Sequence, residues 1–525
     1  MSYYLVFLCI LFISQCLTSS SATQILPSIS SSVLSNHPSH EGETEHEAQQ
    51  RHQHIAIFNS TLNHEFLSSL SKRQLGQDFK VLSFDDRTHI LLGNFHHPDH
   101  STLLKRQDGW LDLELNHKVT IADHNIQIHG SNINSNNKHS IDNDSVATVQ
   151  GPYSVQLDVP SWGLSRISQR QLPLANAFGY PHDAGKGVDI YIVDSGVDAS
   201  NSDFDGRVTV GANFIRGSVD GDENGHGTIL AGIAAGTEYG VAKKANIISI
   251  KCLSANGTGD IGTIIEGLHY ILHDIQSRPQ PPRAIINLSL VAQKSAALNQ
   301  ATDALTRAGA IVVAAAGNYH EGDDHSKRNA CNYSPASAST VITVGSTDEK
   351  DLFASFSKDG KCIDILAPGT SILSDAMQSD NSSSKGIKTW YSGTSYSAPH
   401  VAGVLALLSN QVSSSPSKSK SNATETASPA GASSSSSSSS ATAVSSSSFT
   451  DNQRVIQYLF SLASSDIIAN VTKDTPNLLV FNGVETSQMS STIAASKHHE
   501  STGAIAIPLH YAWMLVFTFC WSLFL

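Results

Sequence analysis

Apolar residues in the middle of the chain come in nearly continuous runs, without the alternation typical of a strand that has one face in water. Five runs of this kind lie at 188–193, 247–250, 284–290, 310–316 and 341–344. Such strands are what a parallel sheet needs when both of its faces are covered. The pattern therefore predicts five strands of a buried, mostly parallel sheet.

Two stretches between these runs carry apolar residues at the three- and four-residue spacing of an α-helix. One stripe consists of Ile261, Ile264, Ile265, Leu268, Ile271, Leu272 and Ile275. The other consists of Leu298, Ala301, Leu305 and Ala308, and Gly309 follows it at a position where helices commonly end. Strands that alternate with helices predict an α/β, doubly wound domain whose ligand site lies beyond the carboxyl ends of the strands.

A smaller patterned segment precedes this domain. Residues 54–58, 79–84 and 88–92 resemble strands, 62–70 has helical spacing, and the leucines of 111–115 alternate with polar residues. This order predicts a βαββ(α)β module, a small α+β domain of ferredoxin-like type. It is too small to hold the chemistry described below.

The composition excludes some classes of protein and marks tracts without folded pattern, but it does not indicate a function. The 525 residues are 40% hydrophobic and carry a formal net charge of −13, which argues against a nucleic-acid partner. Residues 23–53 are polar and without a period, and 123–146 are rich in Asn, His and Ser. A Ser-rich tract at 411–448 interrupts the large domain, because folded pattern resumes at 452–482.

Both ends of the chain indicate the secretory route. Residues 1–22 contain an apolar run followed by small residues, as in a cleaved signal peptide, with retention of the run as an anchor as the alternative. Near the other end, Ser496, Ser501 and Gly503 are candidate attachment sites before an apolar run that reaches Leu525 with no basic residue after it. This arrangement favours a GPI signal. A membrane-spanning tail, or a second propeptide removed in a vacuole-like compartment, stays open, and ethanolamine or inositol on the mature C-terminus would decide for the anchor.

Cysteines and glycosylation sequences agree with that route. Of six cysteines, three lie outside the signal and the tail, Cys252, Cys331 and Cys362, which allows one pair and one free thiol. The spacing alone does not choose the pair. Acceptor sequences for N-linked glycans occur at Asn59, Asn143, Asn256, Asn287, Asn332, Asn381, Asn422 and Asn470, of which Asn287 lies in an apolar run where a glycan would not fit.

Four short motifs carry candidate chemistry. Asp194 ends an apolar run, His226 stands between glycines at the start of an apolar helical stretch, and Ser395 precedes a helix whose first turn is predicted to hold a proline. Asn318 follows a fourth strand. A histidine can activate a serine hydroxyl, and a buried carboxylate can orient the histidine. An Asn amide with the serine N–H can stabilise an oxyanion.

These motifs resemble those of the subtilase family, in its proteinase K and cerevisin branch. The likeness rests on Val193-Asp194-Ser195-Gly196, Gly225-His226-Gly227-Thr228, Gly317-Asn318 and Gly393-Thr394-Ser395 through Pro399-His400. It implies a subtilisin-like fold and a secreted serine endopeptidase of polypeptides, monomeric, that processes its own precursor. By the same likeness, the N-terminal module is an inhibitor-type propeptide, and Cys331 pairs with Cys362.

The resemblance also implies binding residues. For substrate these are Ser289, Leu290, Val291, Ala315, Gly317 and Gly257. No cofactor is required, but a structural calcium ion is implied at Ser339, Val341 and Asp364, because carbonyl and carboxylate oxygens suit calcium.

The chain departs from the family at the strand that binds substrate. Val291-Ala292 stands where the family has two glycines, so we expect a narrowed P1 pocket. Tyr396 replaces a common Met after Ser395, and Ile229-Leu230 departs from the usual pattern after His226. Two alternatives therefore stay open: a catalytically weak subtilase-fold surface glycoprotein, and a vacuolar cerevisin-like protease in place of one anchored at the plasma membrane or cell wall.

The resulting domain plan divides the chain into nine parts. They are a signal peptide (1–22), a disordered lead-in (23–53), the inhibitor-type propeptide (54–122), a linker with a processing site (123–159), the catalytic domain (160–410), a Ser-rich insertion (411–449), the rest of the catalytic domain (450–483), a Ser/Thr-rich spacer (484–503) and a hydrophobic GPI-signal-like tail (504–525).

Overall fold

A nine-stranded sheet forms the centre of the large domain. Its strands, in spatial order, are β10 (Val208–Asn213), β11 (Asn246–Lys251), β9 (Val188–Asp194), β13 (Arg283–Leu288), β15 (Ile311–Ala315), β17 (Ile342–Thr347), β18 (Ile365–Pro368), β22 (Leu478–Leu479) and β21 (Ser464–Ser465). All neighbouring pairs are parallel except β22 with β21. The five predicted apolar runs each contribute a strand to this sheet.

This description comes from a computed structural model, which describes residues 53–72, 79–95, 98–122, 146–148, 152–278, 283–374, 390–414, 447–485, 487 and 489. The predicted signal peptide, the bulk of the Ser-rich insertion and the apolar tail lie outside the described residues. Among the helices of the described part, none is both long and apolar enough to cross a membrane.

Helices cover both faces of the sheet. One face carries α4 (His226–Ala235), α7 (Thr394–Ser414) and α8 (Ser447–Leu462), and the other carries α5 (Ile261–Ser277) and α6 (Ala296–Arg307). The apolar stripe of α5 is buried, as its spacing predicts, and Gly309 has a φ of 95° directly after the C-cap of α6. The α/β, doubly wound fold predicted from the sequence is therefore the observed one.

The predicted strand 284–290 is two strands. β13 stays in the central sheet and ends at Leu288, and after Ser289 the chain enters β14 (Leu290–Gln293). β14 belongs to another sheet, with order β12 (Thr258–Asp260), β5 (Lys118–Ile121), β14 and β16 (Tyr333–Ser334). The apolar run 284–290 continues through the break because the end of β13 and the start of β14 are both buried. The pattern of apolar residues therefore does not show where the chain changes its pairing partner.

The N-terminal module has the order β1 (His54–Phe58), α1 (His64–Lys72), β2 (Lys80–Ser83), β3 (His89–Gly93), α2 (Pro98–Lys105) and β4 (Trp110–Leu115). Its antiparallel sheet has the order β2-β3-β1-β4. Ala56 and Phe58 face the module's own core, whereas Ile55 and Ile57 pack in the same cluster as the buried side chains of α5 and α6. Burying such a side chain contributes about 1.5–3 kcal/mol, so the module is held to the large domain by its second face.

Part of the segment expected to be a linker is ordered as strand. β6 (Val146–Thr148) and β7 (Tyr153–Leu157) form a three-stranded antiparallel sheet with β8 (Ala177–Pro181), so the strands begin before residue 160. Pairing with β8 overrides the polar composition of the segment. The described part of the large domain also contains the α-helix α3 (Trp162–Ile167), three short 3₁₀ helices, and the hairpin of β19 (Ile372–Leu373) with β20 (Trp390–Tyr391).

The predicted disulfide is present. Cys331 and Cys362 are bonded, and Cys252 is a buried free thiol. Asn287 is fully buried in β13, where its amide donates to Ser289 Oγ at 2.9 Å, so this acceptor sequence has no room for a glycan.

Candidate active site

The carboxylate of Asp194 and the imidazole of His226 meet at the carboxyl end of β9. Asp194 is the last residue of β9 and His226 the first residue of α4, and both are buried. Asp194 Oδ1 lies 2.8 Å from His226 Nδ1 and accepts the Ser195 N–H at 2.8 Å. A Cβ at Gly227 would lie 2.0 Å from the Gly196 carbonyl oxygen, so glycine at this position lets α4 begin against the end of β9.

Asp222 organises the turn that presents His226, a role that the sequence analysis missed. Its Oδ1 accepts from the Gly225 N–H at 2.8 Å and from Ser195 Oγ at 2.9 Å. Its Oδ2 accepts from the N–H and the hydroxyl of Thr228, at 3.0 and 2.7 Å. The negative carboxylate thus satisfies donors at the N-terminus of α4, where a negative charge is stabilising. The sequence signal for this role was an Asp placed shortly before a helix start that is flanked by glycines.

Lys251 is the second residue that the sequence analysis missed. It is fully buried at the end of β11, beside Asp194 in the parallel register. Its Nζ donates to the carbonyls of Ser195 and Gly221 at 2.6 and 3.0 Å and lies 3.3 Å from a carboxylate oxygen of Glu223. These contacts fix the loop that follows β9. A lone charge directly after the apolar run 247–250 could have indicated it.

Ser395 is the second residue of α7, so it lies inside the helix and not before it as predicted. Pro399 is correspondingly in the helix interior and not in its first turn. Because proline has no N–H, the Ser395 carbonyl lacks its helical donor, and Ser289 Oγ donates to it at 2.8 Å instead. In this state the Ser395 hydroxyl donates to the Ser289 carbonyl at 3.2 Å.

Asn318 lies shortly after β15, which ends at the buried Ala315. Its Oδ1 accepts from the N–H and the hydroxyl of Thr394, at 3.0 and 2.9 Å, which orients the amide. Its Nδ2 donates to the carbonyl oxygen of Ala122 at 2.6 Å. The Ser395 N–H donates to the same oxygen at 3.3 Å. Two donors from separate elements therefore converge on one carbonyl oxygen.

Residues 118–122 fill the groove between two strands of the large domain. β5 pairs antiparallel with β12 on one side and with β14 on the other, where Leu290 is opposite Ile121. The Ile121 N–H donates to the Gly257 carbonyl and the Ala122 N–H to the Ser289 carbonyl, both at 3.2 Å. Gly257 has a φ of 67°, and a Cβ there would lie 3.1 Å from Ile121 Cδ1. The groove thus accepts an extended chain by backbone pairing.

The space beside Gly317 is occupied by two side chains. A Cβ on Gly317 would lie 3.0 Å from Lys358 Cε and 3.4 Å from Val291 Cγ2. Lys358 is only 4% exposed; its Nζ stands 3.8 Å from the ring centroid of Tyr333 and donates to the Lys327 carbonyl. Burial lowers the pKa of Lys358 to about 8. Lys358 lies 41 residues beyond Gly317 in sequence, and nothing in the sequence pattern indicated this contact.

Tyr396 is buried against the imidazole of His226. The centroids of the Tyr396 and His226 rings are 5.8 Å apart in an edge-on arrangement. The Tyr391 ring packs at a tilt against the Tyr396 ring, with 5.4 Å between the two centroids. Its bulk is therefore accommodated in the core below His226.

The three residues suggested for calcium come from one region of the large domain. Asp364 Oδ2 accepts the Thr343 N–H at 2.8 Å, and Ser339 Oγ donates to Asp303 at 3.3 Å. Burial raises the pKa of Asp364 to about 6, although the hydrogen bond from the Thr343 N–H acts to lower the pKa. Within the described ranges there is no group of three or more His, Cys, Asp or Glu side chains that could hold a metal. One half-buried carboxylate, that of Asp364, with main-chain carbonyls such as that of Val341 fits a hard cation such as calcium.

Comparison with known proteins gives one family. A family model described as Subtilase family matches residues 185–454. Subtilisin-like protease 3 of Pseudogymnoascus destructans is 45% identical over 269 residues, which are 50% of this chain and 63% of that protein. Cerevisin of Saccharomyces cerevisiae is 34% identical over 351 residues, 65% of this chain and 49% of cerevisin. The chain thus spans less than two thirds of either relative's length.

Among solved structures, a cold-adapted subtilisin-like serine proteinase is 32% identical to this chain. The match covers 62% of this chain and 98% of the other, with a TM-score of 0.49.

Proposed function

The chain belongs to the subtilase family, and from that premise we propose that it hydrolyses peptide bonds as a serine endopeptidase. The observation that carries the proposal is the position of the Ala122 carbonyl, which lies between the Asn318 amide and the Ser395 N–H. Two donors aimed at one carbonyl oxygen are the arrangement that stabilises a tetrahedral intermediate. The Asp194–His226 pair supplies the base.

In the proposed mechanism Ser395 Oγ attacks the carbonyl carbon of the substrate. Its hydroxyl first turns from the Ser289 carbonyl towards His226 Nε2, which accepts the proton. Asp194 holds Nδ1–H and stabilises the imidazolium that forms. Asn318 Nδ2 and the Ser395 N–H hold the oxyanion. His226 then protonates the leaving amine, and water releases the acyl group by the reverse steps.

A fluorophosphonate probe tests the proposal directly. We expect the processed protein to be labelled covalently, since only an activated serine reacts quickly with such probes. A folded, processed protein that stays unlabelled and cleaves no peptide would contradict the proposal and favour the surface glycoprotein that has lost turnover.

Asn318→Ala is expected to lower kcat by about 10²- to 10³-fold, as the loss of one oxyanion donor does. KM should change little, because the substrate backbone still pairs with β12 and β14. Steady-state kinetics on one peptide checks this, with Asn410→Ala, at the far end of α7, as the matched control. A kcat within about threefold of the wild-type value would remove Asn318 from the mechanism.

We also propose that the enzyme prefers small residues at P1. One Val291 methyl and the Lys358 stem converge beside Gly317, in the space that a large P1 side chain would need. A peptide series should give kcat/KM at least about tenfold higher for Ala than for Phe at P1, as side-chain fit in an apolar pocket commonly does.

Val291→Gly tests the cause of that preference. The variant should raise kcat/KM for Phe at P1 by about tenfold, whereas Val210→Gly, on the exposed edge of the central sheet, should leave the preference unchanged. Efficient wild-type cleavage after Phe, Leu or Tyr would contradict the narrowed pocket.

The N-terminal module is proposed to act as an intramolecular inhibitor. Three polar contacts support this besides the apolar face: Lys80 with Glu266 at 2.5 Å, Arg307 with Asp85 at 2.8 Å, and Glu114 with the N-terminus of α6. The Glu114 carboxylate accepts the Ala296 N–H at 3.0 Å, although burial raises its pKa. A module held this way would keep 118–122 in the groove and exclude other substrates.

The cellular setting is proposed from sequence alone. A signal peptide and a GPI-signal-like tail support secretion and attachment to the cell surface, with the lipid as the contact to the membrane.

If calcium is bound, Asp364 with the carbonyls of Ser339 and Val341 would hold it and tie β18 to the turn before β17. Calorimetric titration of Ca²⁺ into wild type and Asp364→Asn would decide whether it binds there.

A further inference from the structure

We propose that the precursor cleaves itself at the peptide bond that follows Ala122, so that the mature chain begins at Asp123. The inference deepens the proposed function and rests on it, because the same serine must do the cutting. The sequence placed a processing site only within the linker 123–159, and the inference names the bond.

The first support is the backbone register. A substrate chain in such a groove must offer its scissile carbonyl to the oxyanion donors and its neighbouring residues to the strands on either side. Ala122 is the residue whose carbonyl oxygen receives both Asn318 Nδ2 and the Ser395 N–H, at 2.6 and 3.3 Å. Its own N–H is bound to the Ser289 carbonyl at 3.2 Å. A shift by one residue would put no carbonyl between those donors.

The second support is how the groove fixes that register. Upstream of Ala122, Thr120 is opposite both Thr258 and Val291, and Val119 is opposite Gly259 and Ala292. Val119 and Thr120 are therefore paired on both sides, and Ile121 is opposite Leu290 while its N–H donates to the Gly257 carbonyl at 3.2 Å. Such pairing leaves little freedom for another bond to reach Ser395.

The third support is size. Ala122 is 2% exposed and belongs to the apolar cluster against which Val291 packs, and Val291 with Lys358 fills the space beside Gly317. Among natural residues with a side chain, alanine adds the least volume. The small side chain of Ala122 therefore fits the narrowed P1 pocket that is proposed for substrates.

The cleavage balances as an ordinary acyl transfer followed by hydrolysis. Ser395 Oγ bonds to the Ala122 carbonyl carbon while its proton moves to His226. The bond to the Asp123 nitrogen then breaks, and His226 gives that nitrogen the proton. Water attacks the resulting ester, restores the Ser395 hydroxyl and leaves a carboxylate on Ala122.

Mapping of termini during maturation tests the proposal on the full chain. The precursor is expressed through a eukaryotic secretory pathway and sampled over time, and the C-terminus of the first-formed N-terminal fragment is read by mass spectrometry. We expect it to end at Ala122, whatever trimming follows. A first fragment ending at Arg106, after the exposed Lys105-Arg106 pair, or anywhere within 123–152, would overturn the proposal.

Two substitutions at the same position add a kinetic reading. Ala122→Trp should slow the appearance of this fragment by at least about tenfold, because the ring has no room beside Val291 and Lys358. Ala122→Ser should stay within about threefold of wild type, since the hydroxyl adds little volume. Equal rates for Trp and Ser would overturn the proposal.

Peptide hydrolysis and probe labelling, run on the same samples, separate this inference from the proposed function. An active, labelled enzyme whose first fragment ends elsewhere would overturn the Ala122 site alone. A protein without labelling or hydrolysis would overturn the proposed function, and this site with it.

Discussion

Ser395→Ala is expected to lower kcat for peptide hydrolysis by about 10⁶-fold, the loss that the same knockout causes in subtilisin, a member of this family. The reason is that the proposed mechanism has one nucleophile, the Ser395 hydroxyl at the start of α7, and alanine removes it. The variant should not react with a fluorophosphonate. Its precursor should also accumulate uncleaved, because the proposed cleavage uses the same nucleophile.

The fold should survive this change. In the structure the Ser395 hydroxyl donates one hydrogen bond, to the Ser289 carbonyl, and losing such a bond costs about 1 kcal/mol of unfolding free energy. Ser409→Ala is the matched control, because Ser409 lies on the same helix and donates to the Leu405 carbonyl within it. Labelling of Ser395→Ala at the wild-type rate, or processing at the wild-type rate, would show that another residue is the nucleophile.

Five strands of the central sheet were predictable because they obey one rule along the chain, whereas the partly exposed edge strand β10 and the short strands β18, β21 and β22 were not predicted. A strand covered on both faces must be apolar throughout, and the runs at 188–193 and 247–250 satisfy that rule without help from distant residues. The position of Asp194 followed from the same reasoning, since the carboxyl ends of such strands hold the site. His226 followed from its glycines, one of which lets α4 begin against β9.

Other features depend on partners that are far away in sequence, and no local pattern could reveal them. The break at Ser289 is one, because the chain leaves the central sheet there and pairs in another sheet, while the residues on both sides of the break stay buried. The contact of Lys358 with Gly317 is another, since a lysine in a polar stretch reads as a surface residue until the fold buries its stem. The burial of both faces of β1 belongs here as well, because the α5 and α6 surface that covers Ile55 and Ile57 lies some two hundred residues further on.

The helix that carries Ser395 is an intermediate case. The sequence motif identified the serine, but it predicted a helix start after Ser395, because Pro399 is best tolerated in the first turn of a helix. The helix begins earlier because Thr394 anchors it: its N–H and hydroxyl are bound to Asn318, and its hydroxyl accepts the Gly317 N–H at 3.0 Å. The Ser289 hydroxyl then compensates the bond that Pro399 removes. Tertiary contacts thus outweighed a local preference.

The carboxylate of Asp194 is fixed in position by hydrogen bonds as well as lying beside the imidazole of His226. Its Oδ1 takes two hydrogen bonds, from His226 and from the Ser195 N–H, and the loop around it is fixed by Lys251 and Asp222. Asparagine has nearly the same shape, so it can replace the side chain without creating a cavity. What it removes is the negative charge beside the imidazole, and it adds an N–H₂ group that competes for the tautomer of His226.

Asp194→Asn is therefore expected to lower kcat by about 10⁴-fold, the loss that removal of the corresponding charge causes in chymotrypsin-type proteases. KM should stay within about threefold of wild type, because the substrate-binding strands are unchanged. Stopped assays at high enzyme concentration, with the rate of fluorophosphonate labelling as a second readout, would measure it. Asp198→Asn is the matched control four residues along the chain, because the Asp198 carboxylate accepts from the N–H and the hydroxyl of Ser200, at 2.9 and 2.6 Å, within its own loop. A variant within about tenfold of the wild-type kcat would mean that the charge of Asp194 does not support the imidazolium, and that its 2.8 Å contact only orients the ring.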